Sequence, residues 1–169
     1  MKVLFETYDR GDAIPVQDHL RNKKLAKYFN REAAAAVVCV TKLLRGSQLD
    51  AATPFYYDTG RMEFEDYGLD AIVNASLDEQ GKFSQQLFIN KGVKAVMPLT
   101  QFKALYNMPL CLVSIEHGLT GDNAALYASA QGLLVAALHA PRDRGILLGA
   151  GKMRPDGGVE TGFAVIDKE

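Results

Sequence analysis

The chemistry-bearing stretch of this sequence is a strand–bend–helix pattern. An apolar strand signal, Asn123–Ala128 (NAALYA), runs into the bend Ser129-Ala130-Gln131-Gly132, and a buried-helix signal follows over Leu133–Leu138. Units of this kind often hold a nucleophile at the helix N-terminus, where aligned peptide dipoles stabilise an anion. No cysteine stands at this bend. Ser129 is its one hydroxyl, and the surrounding run Tyr-Ala-Ser-Ala-Gln lacks the glycines of a nucleophile elbow.

Other reactive types are scattered. Cys39 and Cys111 both fall inside apolar helical patterns and read as core filler. Cys111 and His117 are six residues apart, which puts them on different helix faces and gives no thiol–imidazole pair. Asp58 and Thr59 end an apolar strand pattern, Pro54–Gly60, where open α/β sheets meet ligands. A turn-stabilising aspartate is the alternative there. Glu116 and His117 could act in acid–base chemistry, but nothing in the sequence brings them to Asp58. His117 beside Gly118, and His139 before Pro141, read as helix-end caps. Three histidines and two cysteines give no ligand spacing, so no metal and no cofactor is expected. The Gly-x-Gly-Lys run at Gly149–Lys152 lacks the spacing of a phosphate loop.

The elements that must position these groups follow from periodicity. Val3–Tyr8 reads as a strand. Asp18–Phe29 reads as a basic amphipathic helix. It is either a solvated face or a docking surface for an acidic carrier protein through Arg21, Lys23, Lys24 and Lys27. Asn30 would cap the next helix, Ala33–Leu44, which is apolar nearly all round and so buried on more than one side. Leu69, Ile72 and Val73 recur at helical spacing. Phe83–Ile89 is a short helix with Phe83, Leu87 and Phe88 on one face. Thr100–His117 is expected as one long helix kinked at Pro109. Gly145–Lys152 is a buried strand, Pro155–Gly158 a turn, and Thr161–Asp167 a last strand whose alternation suggests a sheet edge.

The 169 residues fit a single domain, 1–169, with a sizeable core. A net charge of −1 and a pI near 6.3 favour neither nucleic acid nor an anionic membrane as partner. No apolar run reaches the roughly 20 residues of a membrane span. Met1–Asp9 has too short an apolar core for a signal peptide, and the two core-type cysteines suit a reduced, cytoplasmic setting. In that setting the Arg10-Gly11-Asp12 tripeptide has no adhesion receptor to meet.

The order Pro98-Leu99-Thr100-Gln101-Phe102, Asn107-Met108-Pro109, Gly118-Leu119-Thr120-Gly121, then strand and bend, resembles the N-terminal half of the β-ketoacyl synthases, condensing enzymes of the thiolase fold. The likeness is best over Pro98–Lys152, weaker over Phe55–Met97 and poor before Pro54. Counting on from Gly121, the family's active-site cysteine falls at Ala130, or at Gln131 if the register slips by one. The chain is similar to the chain-length factors of type II polyketide systems, whose cysteine is replaced, and most nearly to the short ketosynthase-like proteins of aryl polyene clusters.

The resemblance implies an α/β fold, half of a thiolase-like architecture, with a mixed, approximately five-stranded sheet flanked by helices. It implies no catalytic residue, since the family's two catalytic histidines lie in a second half outside this sequence. It implies a non-catalytic subunit that pairs with a full-length β-ketoacyl synthase, as a heterodimer or a higher multiple, and shapes the shared acyl tunnel in aryl polyene, polyketide or fatty-acid-like synthesis. An acyl carrier protein would be met indirectly. Candidate gate residues are Phe83, Leu87, Phe88, Met62 and Phe64. Candidate interface residues are Asn123, Ala124, Ala125, Leu126, Tyr127 and Ala128, on the strand that pairs across the family's dimer. Two other readings stand beside this one: an acyl-thioester enzyme with its site relocated to Ser129, and a homodimeric acyl-binding protein.

Overall fold

Asn30 starts the helix that organises the core. Its side-chain Oδ1 accepts the Ala33 N–H at 2.7 Å, an N-cap that satisfies one donor of the first turn. Helix α1 (Arg31–Leu44) follows, and ends where Arg45 and Gly46 turn left-handed at φ 49° and 83°. Ala33, Ala35, Ala36, Val37, Val38, Cys39 and Val40 are wholly buried, as an all-round apolar helix requires. The computed structural model describes residues 1–60, 68–127, 129–140 and 145–167.

Helix α1 lies on one face of a mixed five-stranded sheet. Its strands are β1 (Lys2–Tyr8), β2 (Phe55–Thr59), β3 (Asn123–Leu126), β4 (Ile146–Met153) and β5 (Val159–Ile166), in the order β1-β5-β4-β2-β3. β2 runs parallel to both β3 and β4, whereas β5 is antiparallel to β4 and to β1. Phe55, Tyr57 and Phe163 form an aromatic cluster under α1, with ring centroids 5.8 to 6.2 Å apart. Gly149 makes room for it: a Cβ there would collide with the Phe163 ring and lie 2.8 Å from that of Tyr57. Helix α5 (Met108–His117) packs beside α1 in the same core. The opposite face of β2 and β4 receives helix α6 (Ala130–His139), through Tyr56, Leu133, Ile146 and Leu148.

The chain divides into two units, Met1–Met62 with Tyr106–Glu169, and Glu63–Leu105. The sheet, α1, α5 and α6 belong to the first. The second holds helices α2 (Leu69–Ala75), α3 (Gln85–Asn90) and α4 (Pro98–Phe102), with a 3-10 turn at Gly92–Lys94. Its packing is polar and close: the Ser76 hydroxyl donates to the Ile72 carbonyl at 2.6 Å, and Gly92 lies against that same turn. No apolar side chain among its described residues is buried. No helix among the described residues is long and apolar enough to cross a membrane.

Four expectations change. Thr100–His117 is two helices, α4 and α5, and not one kinked helix; Pro109 sits in the first turn of α5, where its missing N–H would have had no intrahelical partner. Asp18–Phe29 is a pair of 3-10 turns, Val16–His19 and Lys23–Tyr28. Asn22 breaks the run by accepting the Lys24 N–H on its side chain, which competes with helical bonding. β5 lies between β1 and β4 and is no edge. Its alternation arises because Val159, Thr161, Phe163 and Val165 are buried on one face while the other is only partly covered. Phe83 precedes α3, in a bridge to Leu77, and is not on the helix face.

Candidate functional site

β3 closes one end of the sheet; among the described residues it bonds to β2 alone, and its outer backbone edge is unpaired. Two glycines aim it. Gly118 caps α5 in the left-handed region at φ 69°. Gly121 passes so close to the Ala52 and Thr53 carbonyls that a side chain would collide with them, while Thr120 donates its N–H to the Ala51 carbonyl at 2.6 Å. Asn123, Ala124 and Leu126 are half-buried, Ala125 is exposed, and Tyr127 is 80% exposed with its ring edge-on to Tyr106 at 5.7 Å. Ala128 lies outside the described residues.

Ser129 then takes the N-cap position of α6 in an extended conformation, φ −103° and ψ 171°, and its side chain makes no capping bond. Ala130 is the first helical residue and Gln131, which is exposed, the second. This is the place in a helix where free N–H groups and the dipole would hold a thiolate. Neither a methyl nor a carboxamide can take an acyl group from a thioester, so neither candidate position supplies the nucleophile of a condensation. Ser129 gains no base from His139, which lies at the other end of α6, roughly 15 Å along the axis.

α6 buries Leu133 and turns Leu134, Val135 and Leu138 outward, 53% to 67% exposed. A buried helix therefore stands as an expectation half met: one side is core and the other is open apolar surface. In the second unit, the Phe83 and Phe88 rings lie 5.9 Å apart, 66% and 37% exposed, and Leu87 is half-buried. Met62 and Phe64, the other gate candidates, lie outside the described residues.

The remaining reactive groups separate by face. Asp58 lines a groove of about 360 Å³ on the face of the sheet away from α1, with Phe5, Thr7, Lys152, Glu160 and Gly162. Glu116 and His117 share a different cleft, of about 340 Å³, with His19, Arg21 and Thr41. Glu116 is 4% exposed; its Oε1 accepts the Arg21 N–H at 2.7 Å and lies 3.8 Å from Arg21 Nε. The Thr41 hydroxyl donates to the Val37 carbonyl at 2.9 Å, so its oxygen is left to accept from His117 Nε2, 3.3 Å away. Burial, with the Arg21 charge nearby, lowers the His117 pKa to about 4, and the ring is neutral at pH 7. Cys39 is a weak donor to the Leu4 carbonyl, and burial raises its pKa to about 12; burial also raises that of Cys111. Cys39 is core filler, as expected, whereas Cys111 is only half-buried and lies outside the core. Among the described residues no group of histidine, cysteine and carboxylate side chains could hold a metal ion.

The sequence reading passed over Glu32. It lies in the first turn of α1, 1% exposed, and its Oε1 accepts the Tyr57 hydroxyl at 2.7 Å while Oε2 has no hydrogen-bond partner among the described residues. Burial raises its pKa to about 7, against the opposing bond from Tyr57. A lone acid opening an otherwise apolar helix was the available signal, but such a residue ordinarily serves the helix dipole at the surface.

No protein-family model matches this sequence, and no curated protein does. Solved structures do match, eleven chains in all. One, the ishigamide ketosynthase/chain length factor, superposes on 93% of this chain with a TM-score of 0.63 and 17% sequence identity. This chain spans 48% of the length of that one. The fold is therefore ketosynthase-like: a mixed five-stranded sheet between helices, equivalent to about half of such a chain.

Proposed function

We propose that this chain is a chain-length-factor-like, non-catalytic subunit that pairs with a full-length β-ketoacyl synthase. One observation carries the reading: β3, an edge strand unpaired on its outer side among the described residues, leads into a helix N-terminus that opens with Ala130 and Gln131 and carries no thiol. The edge offers backbone groups to a second sheet, and the bend offers no thiol to accept an acyl chain. The partner would supply the chemistry. This chain would supply the wall of the acyl tunnel, with Phe83, Leu87 and Phe88, joined by Met62 and Phe64, as the bulk that stops chain growth. Overfilling a packed cavity costs on the order of 1–3 kcal/mol, enough to set a length without any reaction in this subunit. Aryl polyene synthesis, in a cytoplasmic complex with an acyl carrier protein delivering to the partner, is the setting that the sequence resemblance favours.

Co-expression with candidate ketosynthases, followed by size exclusion with mass determination, tests the pairing. A stable one-to-one complex or its multiple, with elongation lost when this chain is left out, is the expected result. A chain that stays alone with every ketosynthase offered overturns the reading. Within a complex, Phe83→Ala with Phe88→Ala should lengthen the product, read by mass spectrometry.

A further inference from the structure

β1 is the sheet's other edge, and among the described residues it has neither the bulge, the proline nor the covering strand that commonly blunts one. Its seven residues pair with β5 in unbroken register from Lys2↔Val165 to Tyr8↔Val159, with no bulge and no proline. Natural edges are shortened, bulged, covered or crowded with charge because a long regular edge recruits another strand. This one instead exposes Val3 at 46% and Phe5 at 75%. The Phe5 ring lies over Gly162 of the neighbouring strand, which leaves its outer face to solvent. In an antiparallel pair alternate residues aim their N–H and C=O groups away from the partner. Among the described residues these outward groups of β1 meet no other strand.

The two faces of the strand differ in chemistry. Leu4 packs toward α1, so Lys2 and Glu6 share that face, while Val3, Phe5 and Thr7 take the other. A cavity of about 550 Å³ runs between β1 and the end of α1, and the cations Lys2, Lys42 and Arg45 line it. Glu6 binds Lys42 through both oxygens, at 2.9 and 3.0 Å. Among the described residues Lys2 and Arg45 form no ion pair, so the cavity keeps a surplus of positive charge.

We propose that the edge of β1 is a strand-addition site for an extended partner segment that alternates acidic and apolar side chains. The added backbone pairs with β1. Its apolar side chains extend the Val3–Phe5 row, and its carboxylates, on the other face, reach Lys2 and Arg45 across the cavity. This site is independent of β3 and of any ketosynthase partner.

The test uses the full chain and a fluorescein-labelled octapeptide alternating valine and glutamate. Two controls accompany it: the valine–lysine counterpart, and the valine–glutamate peptide N-methylated at alternate residues, which cannot pair with an edge. The expected result is saturable binding of the first peptide, with both controls weaker by at least about ten-fold. The double variant Lys2→Glu, Arg45→Glu should lose a similar factor with an unchanged melting temperature. Perturbed amide signals should fall on residues 2–8. Equal binding of the N-methylated peptide would mean adsorption by charge alone and would overturn the proposal. So would the absence of saturable binding, which would make β1 an edge guarded by its lysine.

Discussion

Glu32 and His117 are buried ionisable groups whose linkage to stability runs in opposite directions. Burial raises the Glu32 pKa from 4.5 to about 7, so the folded chain holds this proton more tightly than the unfolded chain. Its contribution is complete below about pH 4.5 and is lost as pH rises through 7, a change on the order of 3 kcal/mol. Glu32→Gln should remove that slope, and the variant should be the more stable of the two at pH 8. Urea titrations across pH 4 to 8 check this by difference. His117 is depressed from 6.5 to about 4, so its contribution is present above 6.5 and lost as pH falls through 4. Removing the cation beside it by Arg21→Ala should raise that pKa, visible as a shift in the imidazole NMR titration. Sequence alone could not find either group's surroundings. Tyr57, which holds Glu32, is 25 residues away along the chain, and Thr41, which faces His117, is 76.

Elements were legible where one interaction scale dominated. α1 could be read from the Asn30 cap and its apolar body, and its start and burial follow that pattern. Asn30→Ala should cost about 1 kcal/mol of stability, measured by chemical denaturation. The strands β1, β2, β3 and β4 were also readable, because apolar runs bounded by turns leave few alternatives. The errors came where local polar bonds or tertiary covering decide. Asn22 turned an apparent helix into two short turns. Pro109 marked the start of α5, not a bend within a longer helix, and β5 alternates for want of cover on one face. A sheet packed under α1 leaves no spare volume at its centre. Gly149→Ala should therefore destabilise by about 1–3 kcal/mol through collision with Phe163 and Tyr57, with the loss in melting temperature as readout. The bend at Ser129 was readable as a bend. That its helix would be open on one side was not, because apolar residues all round an α-helix look the same whether a partner or the core covers them.

The two units of the molecule differ in how they are held. The sheet unit buries apolar clusters on both faces of its sheet, whereas the described residues of 68–105 bury no apolar side chain and expose Val73, Ile89, Met97 and Phe102 among others. Local stability follows buried apolar contact. Amides of α2, α3 and α4 should exchange with solvent at least about 100-fold faster than those of α1 and β4 in the isolated chain. Pairing with a partner that covers this unit should slow them. Exchange at equal rates throughout would show that polar contacts alone hold the unit. The sheet carries a consequence for biosynthesis. Among the described residues β1 pairs with β5 only, and Lys2 finds Val165 as its neighbour. During translation β1 therefore waits for the chain through Val165 to emerge, roughly 8–30 s at ordinary ribosome speeds. Through that interval Val3 and Phe5 form part of an orphan strand. Chaperone demand on the nascent chain should be set by the speed of the ribosome more than by the stability of the finished fold.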